Sequence, residues 1–258
     1  VSPVNRRHLL TAAGLTAAAA AGCSTTAPPP GNIPTPASGG LPASGDGSPP
    51  ASAPATPDRP AIEIVHGPRD RPAVALTFHG QGTTAQVVAL LAALETGGAR
   101  GTVLAVGAWL AQAPDLAARI TAHGHELGNH TQHHIDIAHR DAAATYAEIN
   151  DCATVLRDLT GSPGRWFRPS QTRHSTALIR VQAARAGYGT CLSYDVDSLD
   201  YTDPGPAAVV RTTLKSVQKG SIVSMHCGHD GTIHALPEVL TGLRVRGLRA
   251  VTVTELLA

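Results

Sequence analysis

The sequence predicts an α/β domain with a mostly parallel sheet or barrel between about Ala61 and Ala258. Two observations predict it. Short β-branched or apolar runs alternate with longer amphipathic stretches, and this repeated strand-then-helix order is what parallel strands joined by helical crossovers require. An apolar fraction of 42% over 258 residues is also sufficient to fill a core of ordinary size.

The elements follow in order. Val74-Ala75-Leu76-Thr77-Phe78 reads as a buried strand, and Gln86 to Glu95 as a helix ended by Gly97-Gly98. Thr102 to Val106 is the next strand, with a helix from about Asp115 to Ala122 stopped by Gly124. Ala143 to Leu159 sets Tyr146, Ile149, Cys152, Ala153, Leu156 and Leu159 on one face at helical spacing, before Gly161 and Pro163 break it. Further strands are predicted around Thr190 to Tyr194, Ser221 to Met225 and Ala250 to Val253, with helices near Thr176 to Ala186, Ala207 to Val217 and Pro237 to Arg246.

Ahead of this domain, Asn5-Arg6-Arg7-His8 precedes an uncharged run from Leu9 to Ala21 and then Gly22-Cys23. That is the pattern of a signal peptide, residues 1–23, too short in its apolar part to span a bilayer as a stable helix. Paired arginines suggest export by the twin-arginine route. Ala-Gly-Cys resembles a lipobox with Cys23 as the lipidated residue, which predicts a lipoprotein anchored on the outer face of the cytoplasmic membrane; an ordinary secretory signal with an incidental cysteine is the alternative. Residues 24–60 hold 11 of the 20 prolines among Gly, Ser, Thr and Ala. Such a segment cannot bury enough surface to order itself and reads as a tether, with an upper reach on the order of 100 Å at about 3.1 Å per residue.

A formal net charge of +1, with no long basic run, argues against a nucleic-acid partner. Cys152, Cys191 and Cys227 lack the short paired spacing of zinc knuckles. One disulfide among them is compatible with the sequence, without a readable pairing.

In parallel α/β folds chemistry collects at the carboxyl ends of strands. His79 follows the first strand, Asp195 and Asp197 follow Tyr194, and His226 follows Met225. His130 and His134, four residues apart, would point the same way on one helical turn, and neutral imidazole is a preferred zinc ligand. Such a pair fits two ligands of a divalent metal, zinc by ligand type, and equally a surface pair that holds no metal.

Gly124-His125-Glu126-Leu127-Gly128-Asn129-His130-Thr131, with His134 beyond it, resembles the second motif of the polysaccharide deacetylases of carbohydrate esterase family 4, here in an actinobacterial type of lipoprotein. Leu76-Thr77-Phe78 is similar to the approach to the first motif, Phe167-Arg168-Pro169 to the third, Asp197-Ser198-Leu199-Asp200-Tyr201 to the fourth and Ile222-Val223-Ser224-Met225-His226 to the fifth. The resemblance implies a distorted (β/α) barrel and metal-dependent removal of N- or O-acetyl groups from a glycan. It also implies His130 and His134 as metal ligands, His226 as general acid, Asp197 as the carboxylate that orients it, and Arg168 as the residue that positions the base.

The first motif departs from the pattern. Where the family carries two aspartates, a base and a metal ligand, this chain has His79-Gly80-Gln81-Gly82. Two repairs are open: His79 acts as base while water or Gln81 completes the metal shell, or His79 becomes a third ligand in a three-histidine site. A glycan-binding pseudoenzyme and a histidine-rich metal-binding lipoprotein are the competing functions. Asp195 and Asp200 read as structural loop carboxylates, and His123, His133, His139, His174, His229 and His234 as solvent-facing or locally bonded.

Overall fold

The computed structural model describes residues 59–258. The predicted signal peptide, the predicted lipidation site Cys23 and nearly all of the predicted tether lie outside the described residues. In chain order the strands are β1 (Ile62–Ile64), β2 (Ala73–Gly80), β3 (Thr102–Ala105), β4 (Glu126–Asn129), β5 (Thr190–Leu192), β6 (Val196–Asp197), β7 (Ile222–His226) and β8 (Arg249–Val251). The α-helices are α1 (Thr84–Thr96), α2 (Gly107–Gln112), α3 (Asp115–Ala122), α4 (Ala142–Thr160), α5 (Ala177–Arg185), α6 (Pro206–Ser216), α7 (Asp230–Val245) and α8 (Val253–Leu257).

All the strand pairs are parallel. β2 is central: β7 runs along one edge, while β8 and then β3 share the other. β4 lies beyond β3, β6 beyond β7, and β1 pairs with β5. Single bridges from Phe167 to Asn129 and Cys191 link β4 to β5, so the strands follow one another in an irregular, barrel-like sheet.

Alternation along the strands sorts inside from outside. Val74, Leu76 and Phe78 of β2 pack with Val87, Leu90, Leu94, Leu236, Val239 and Leu240 in the layer between sheet and helices. Ala73 and Ala75 face the other way and meet Leu104, Trp166, Ile222, Val251 and Leu256. Continuing in steps of two, the inward positions of β2 pass from Ala75 through Thr77 to His79. The interior thus turns from apolar to polar toward the carboxyl ends of the strands.

Local signals explain most of the boundaries. Thr83 and Gln86 form a reciprocal capping box at the start of α1, and Thr252 and Glu255 form another at α8. Asp141 caps α4, which ends on left-handed Gly161. Sequence reading starts the seventh helix at Pro237, yet α7 begins seven residues earlier and carries Pro237 inside it. Proline suits a first helical turn but does not forbid an interior position when packing holds the helix; here Leu236, Val239, Leu240 and Leu243 are buried. β1, α2 and α8 are too short to carry a periodic signal and have no sequence-predicted counterpart. Cys152, Cys191 and Cys227 are all buried and free, so no disulfide joins them.

Candidate metal and catalytic site

His79 lies within β2 rather than after it, in register with His226 at the end of β7. Adjacent parallel strands therefore set the two inward imidazoles side by side, stacked with centroids 4.4 Å apart at 24°. His130 comes one residue after β4, and its backbone N–H donates to Ala105 O at 2.8 Å.

His134 does not reach His130 along a helical turn. The connection is a loop that passes through two left-handed residues, Thr131 at φ 69° and His134 at φ 55°. Side chains hold it in place of helical hydrogen bonds: Asn129 Oδ1 accepts from the Thr131 N–H and Thr131 Oγ1 from the His134 N–H. The rings of His130 and His134 still converge, with centroids 5.0 Å apart.

One nitrogen from each of His79, His130 and His134 lies within 4.8 Å of the other two. Burial pushes the pKa values of His79 and His130 well below the ordinary histidine value, and lowers that of His134, because charge is poorly solvated there and neighbouring cations oppose it. All three are thus kept neutral, as metal ligation requires. His130 Nδ1 donates to Arg168 O at 2.9 Å, which leaves the Nε2 lone pair facing His79 Nδ1 at 2.8 Å. That contact has hydrogen-bond length and must hold one proton, the proton a bound cation would replace. The donor set fits a divalent metal of zinc type.

Gly80 does not supply a ligand. A Cβ there would meet Ala105 Cα at 2.8 Å, Leu104 O at 2.9 Å and the Trp109 ring at 3.2 Å. β3 and Trp109 close the position to any side chain.

Arg168 is buried and, among the described residues, has no carboxylate partner. Its guanidinium donates to Leu192 O, Ser193 O and Thr77 Oγ1, and NH1 stands 3.3 Å from His79 Nε2, which also faces Ser224 Oγ at 2.9 Å. Burial pulls it down to about 9, still cationic at neutral pH.

The carboxylate on His226 is Asp200, not Asp197. Asp200 Oδ1 accepts from His226 Nδ1 at 2.8 Å, and Oδ2 accepts from the His226 N–H at 2.7 Å and from Thr232 Oγ1. Burial raises its pKa, but His226 and Thr232 outweigh it and leave the carboxyl below its usual range. Asp197 instead caps the following turn, accepting from the Leu199 N–H at 3.0 Å, and lies on the wall of a groove with Tyr194 and Arg173. Asp195 ties Arg69, Ser221 and Ile222 together and is structural.

His123, His133, His139 and His174 each face a carboxylate away from the cluster. His229 differs, because it pairs with Asp203 and lines the cavity that holds His79, His130, His134 and His226. Its spacing of three from His226, matching that of Asp203 from Asp200, was the available sequence signal.

Residues 66–190 match the family model described as polysaccharide deacetylase. The chain is 29% identical over 194 residues to the peptidoglycan-N-acetylglucosamine deacetylase of Bacillus cereus, covering 74% of this chain and 90% of that protein. It is 26% identical over 194 residues to the uncharacterized protein YlxY of Bacillus subtilis, covering 75% of this chain but only 60% of that relative's length. The crystal structure of a CE4 family pseudoenzyme from Bacillus anthracis superposes with a TM-score of 0.72 at 23% identity, over 78% of this chain and 70% of that one, a likeness of fold. Family match, relatives and barrel topology agree: residues 66–190 of this chain are similar to the polysaccharide deacetylases.

Proposed function

We propose that this protein is a metal-dependent hydrolase that removes acetyl groups, N- or O-linked, from an envelope or extracellular glycan. The observation that carries the proposal is the convergence of three neutral imidazoles, His79, His130 and His134, beside the Asp200–His226 pair. Deacetylase relatives such as the Bacillus cereus protein support the substrate class. A signal peptide ending at Cys23 supports export and lipid anchoring, with no role for nucleic acid.

His79, His130 and His134 would hold the metal, which when bound supplies Lewis-acid polarisation of the acetyl carbonyl and activation of water. His79 would offer Nδ1, the atom already turned toward His130, and its Nε2–H would then donate a hydrogen bond to Ser224 Oγ. Arg168 fixes the floor beneath His79 by bonding to Thr77 and to the carbonyls of Leu192 and Ser193. His226, its Nδ1–H held by Asp200, presents Nε2 to the leaving nitrogen or oxygen and protonates it.

Loss of a carboxylate from the ligand set, with Gly80 sterically closed, favours a second reading: a glycan-binding pseudoenzyme. Metal content and acetate release from N-acetylated chitooligosaccharides and peptidoglycan separate the two. The hydrolase reading expects about one metal per chain and acetate release, both lost in His79→Ala and His130→Ala. Activity lost with metal retained in His79→Ala would make His79 the base instead. Metal binding with no acetate from any glycan would establish the pseudoenzyme.

A further inference from the structure

The three-histidine arrangement leaves the site without an evident base. Hydrolysis of an acetyl group needs two proton transfers, one from water and one to the leaving atom, and His79, His130 and His134 have their free lone pairs committed to the cluster. Two imidazoles remain in the cavity of about 310 Å³ bounded by these histidines and Gln81: His226 and His229.

Both are backed by a carboxylate in the same manner. Asp200 accepts from His226 Nδ1 at 2.8 Å and Asp203 faces His229 Nδ1 at 2.7 Å. The aspartates stand three residues apart, as do the histidines, so one short 3₁₀ turn (Asp200–Thr202) and its cap serve two dyads from a single register. In each, the carboxylate engages the Nδ1–H and leaves Nε2 free, as a lone pair in the neutral ring or as an N–H in the imidazolium. The rings meet edge to face with centroids 5.7 Å apart.

The segment bearing His229 is held firmly. A Cβ on Gly228 would lie 2.8 Å from Gln81 O, and one on Gly82 would lie 3.0 Å from Gly228 Cα, so the two loops touch backbone to backbone. Gln86 Nε2 donates to Gly228 O at 3.0 Å and to Asp230 Oδ1 at 2.9 Å. Such anchoring belongs to a positioned side chain rather than a loose surface histidine.

The surroundings divide the labour. His226, like His79 and His134, borders both this cavity and an adjoining groove of about 380 Å³ lined by Gln171, Arg173, Tyr194 and Asp197, whereas His130 and His229 border only the cavity. A leaving sugar would fit the larger groove, and an attacking water the smaller cavity. We infer that His229, oriented by Asp203, is a second acid–base residue of the site and takes the proton of the attacking water, while His226 delivers one to the leaving atom. The inference rests on the hydrolase reading above. As the water oxygen bonds to the acetyl carbon, its proton passes to His229 Nε2. The carbon–nitrogen or carbon–oxygen bond then breaks with its electron pair on the sugar heteroatom, which takes the Nε2 proton of His226, the ring having entered the step as an imidazolium held by Asp200. Acetic acid and the free amine or hydroxyl leave, and solvent returns each imidazole to its starting state.

The test is steady-state acetate release by the full-length, metal-loaded protein and its His229→Ala and Asp203→Asn variants, with metal content measured on each. His229→Ala should lose on the order of 10²-fold or more in kcat with KM and metal content unchanged, and free imidazole should restore part of the loss. Asp203→Asn should lose about tenfold. Activity of His229→Ala within twofold of the parent, or a loss that imidazole does not relieve and that tracks metal loss, overturns the assignment and leaves the hydrolase reading standing. Absence of acetate release by the parent protein overturns both.

Discussion

The two ends of the strands solve the same geometric problem with different residues. Where helices return to strands, left-handed backbone falls to glycine: the turn from α1 into β3 has Gly98 at φ 65°, and that from α7 into β8 has Gly247 at φ 70°. Where strands lead out toward the site, Thr131, His134, Gln171, Leu199 and Asp203 take the left-handed region themselves, with φ between 51° and 69°. For side chains bearing a Cβ this costs on the order of 1 kcal/mol or more each. One end is relaxed and serves the fold; the other stores strain where His134 must turn back to His130 and where Asp200 must meet His226. The difference teaches that the site is over-determined by its surroundings.

The largest effect expected from breaking this arrangement lies at Asp200. Asp200→Asn removes the charge that orients His226 and should lower kcat by on the order of 10²-fold, whereas Asp197→Asn should cost less than about tenfold, since its carboxylate caps a turn. Equal losses in acetate release from the two variants would sink the assignment of Asp200 to His226.

That pair also shows where sequence reading stops. In Asp197-Ser198-Leu199-Asp200-Tyr201 both aspartates sit at the end of a predicted strand, and nothing local distinguishes them. The choice is made by left-handed Leu199, which turns the chain so that Asp197 faces its own loop and Asp200 faces β7. The same limit applies to His130 and His134, whose spacing is helical while their backbone is not. Strand β2 was legible because its continuous apolar run has one physical meaning, and α3 because Asp115 and Gly124 bracket it. The sequence reads His229 as solvent-facing or locally bonded because its partner Asp203 is 26 residues away in the chain.

Acid should expose the electrostatic cost of the cluster. In the metal-free protein His130 and His79 have pKa values below those in the unfolded chain, chiefly through burial. Below about pH 6.5 the unfolded chain therefore binds more protons than the folded one. Stability should be level above that pH and fall as pH drops, at up to about 1.4 kcal/mol per pH unit for each such group. Chelator-treated protein followed by urea denaturation at several pH values should show this slope, and His130→Gln should flatten it. A slope of the same size in His130→Gln would assign the acid lability to other groups.

The smallest effects test the contrast between the two ends directly. An added Cβ at Gly98 or Gly247 meets no atom within 4 Å, so alanine there changes only the backbone preference. Each substitution should lower stability by about 1 kcal/mol and leave acetate release unchanged. Leu199→Gly runs the other way. Leu199 is 42% exposed, and relief of its left-handed backbone offsets part of the burial and chain entropy that glycine gives up, so the loss of stability should stay below about 2 kcal/mol. The same substitution loosens the turn that presents Asp200 and Tyr201, and the rate should fall by several-fold, about 1 kcal/mol in the barrier. Urea midpoints and initial rates on the three variants decide the matter: a Leu199→Gly protein that keeps the parent's rate, or glycine-to-alanine variants that lose rate without losing stability, would show that strain is not partitioned between the two ends as the backbone angles indicate.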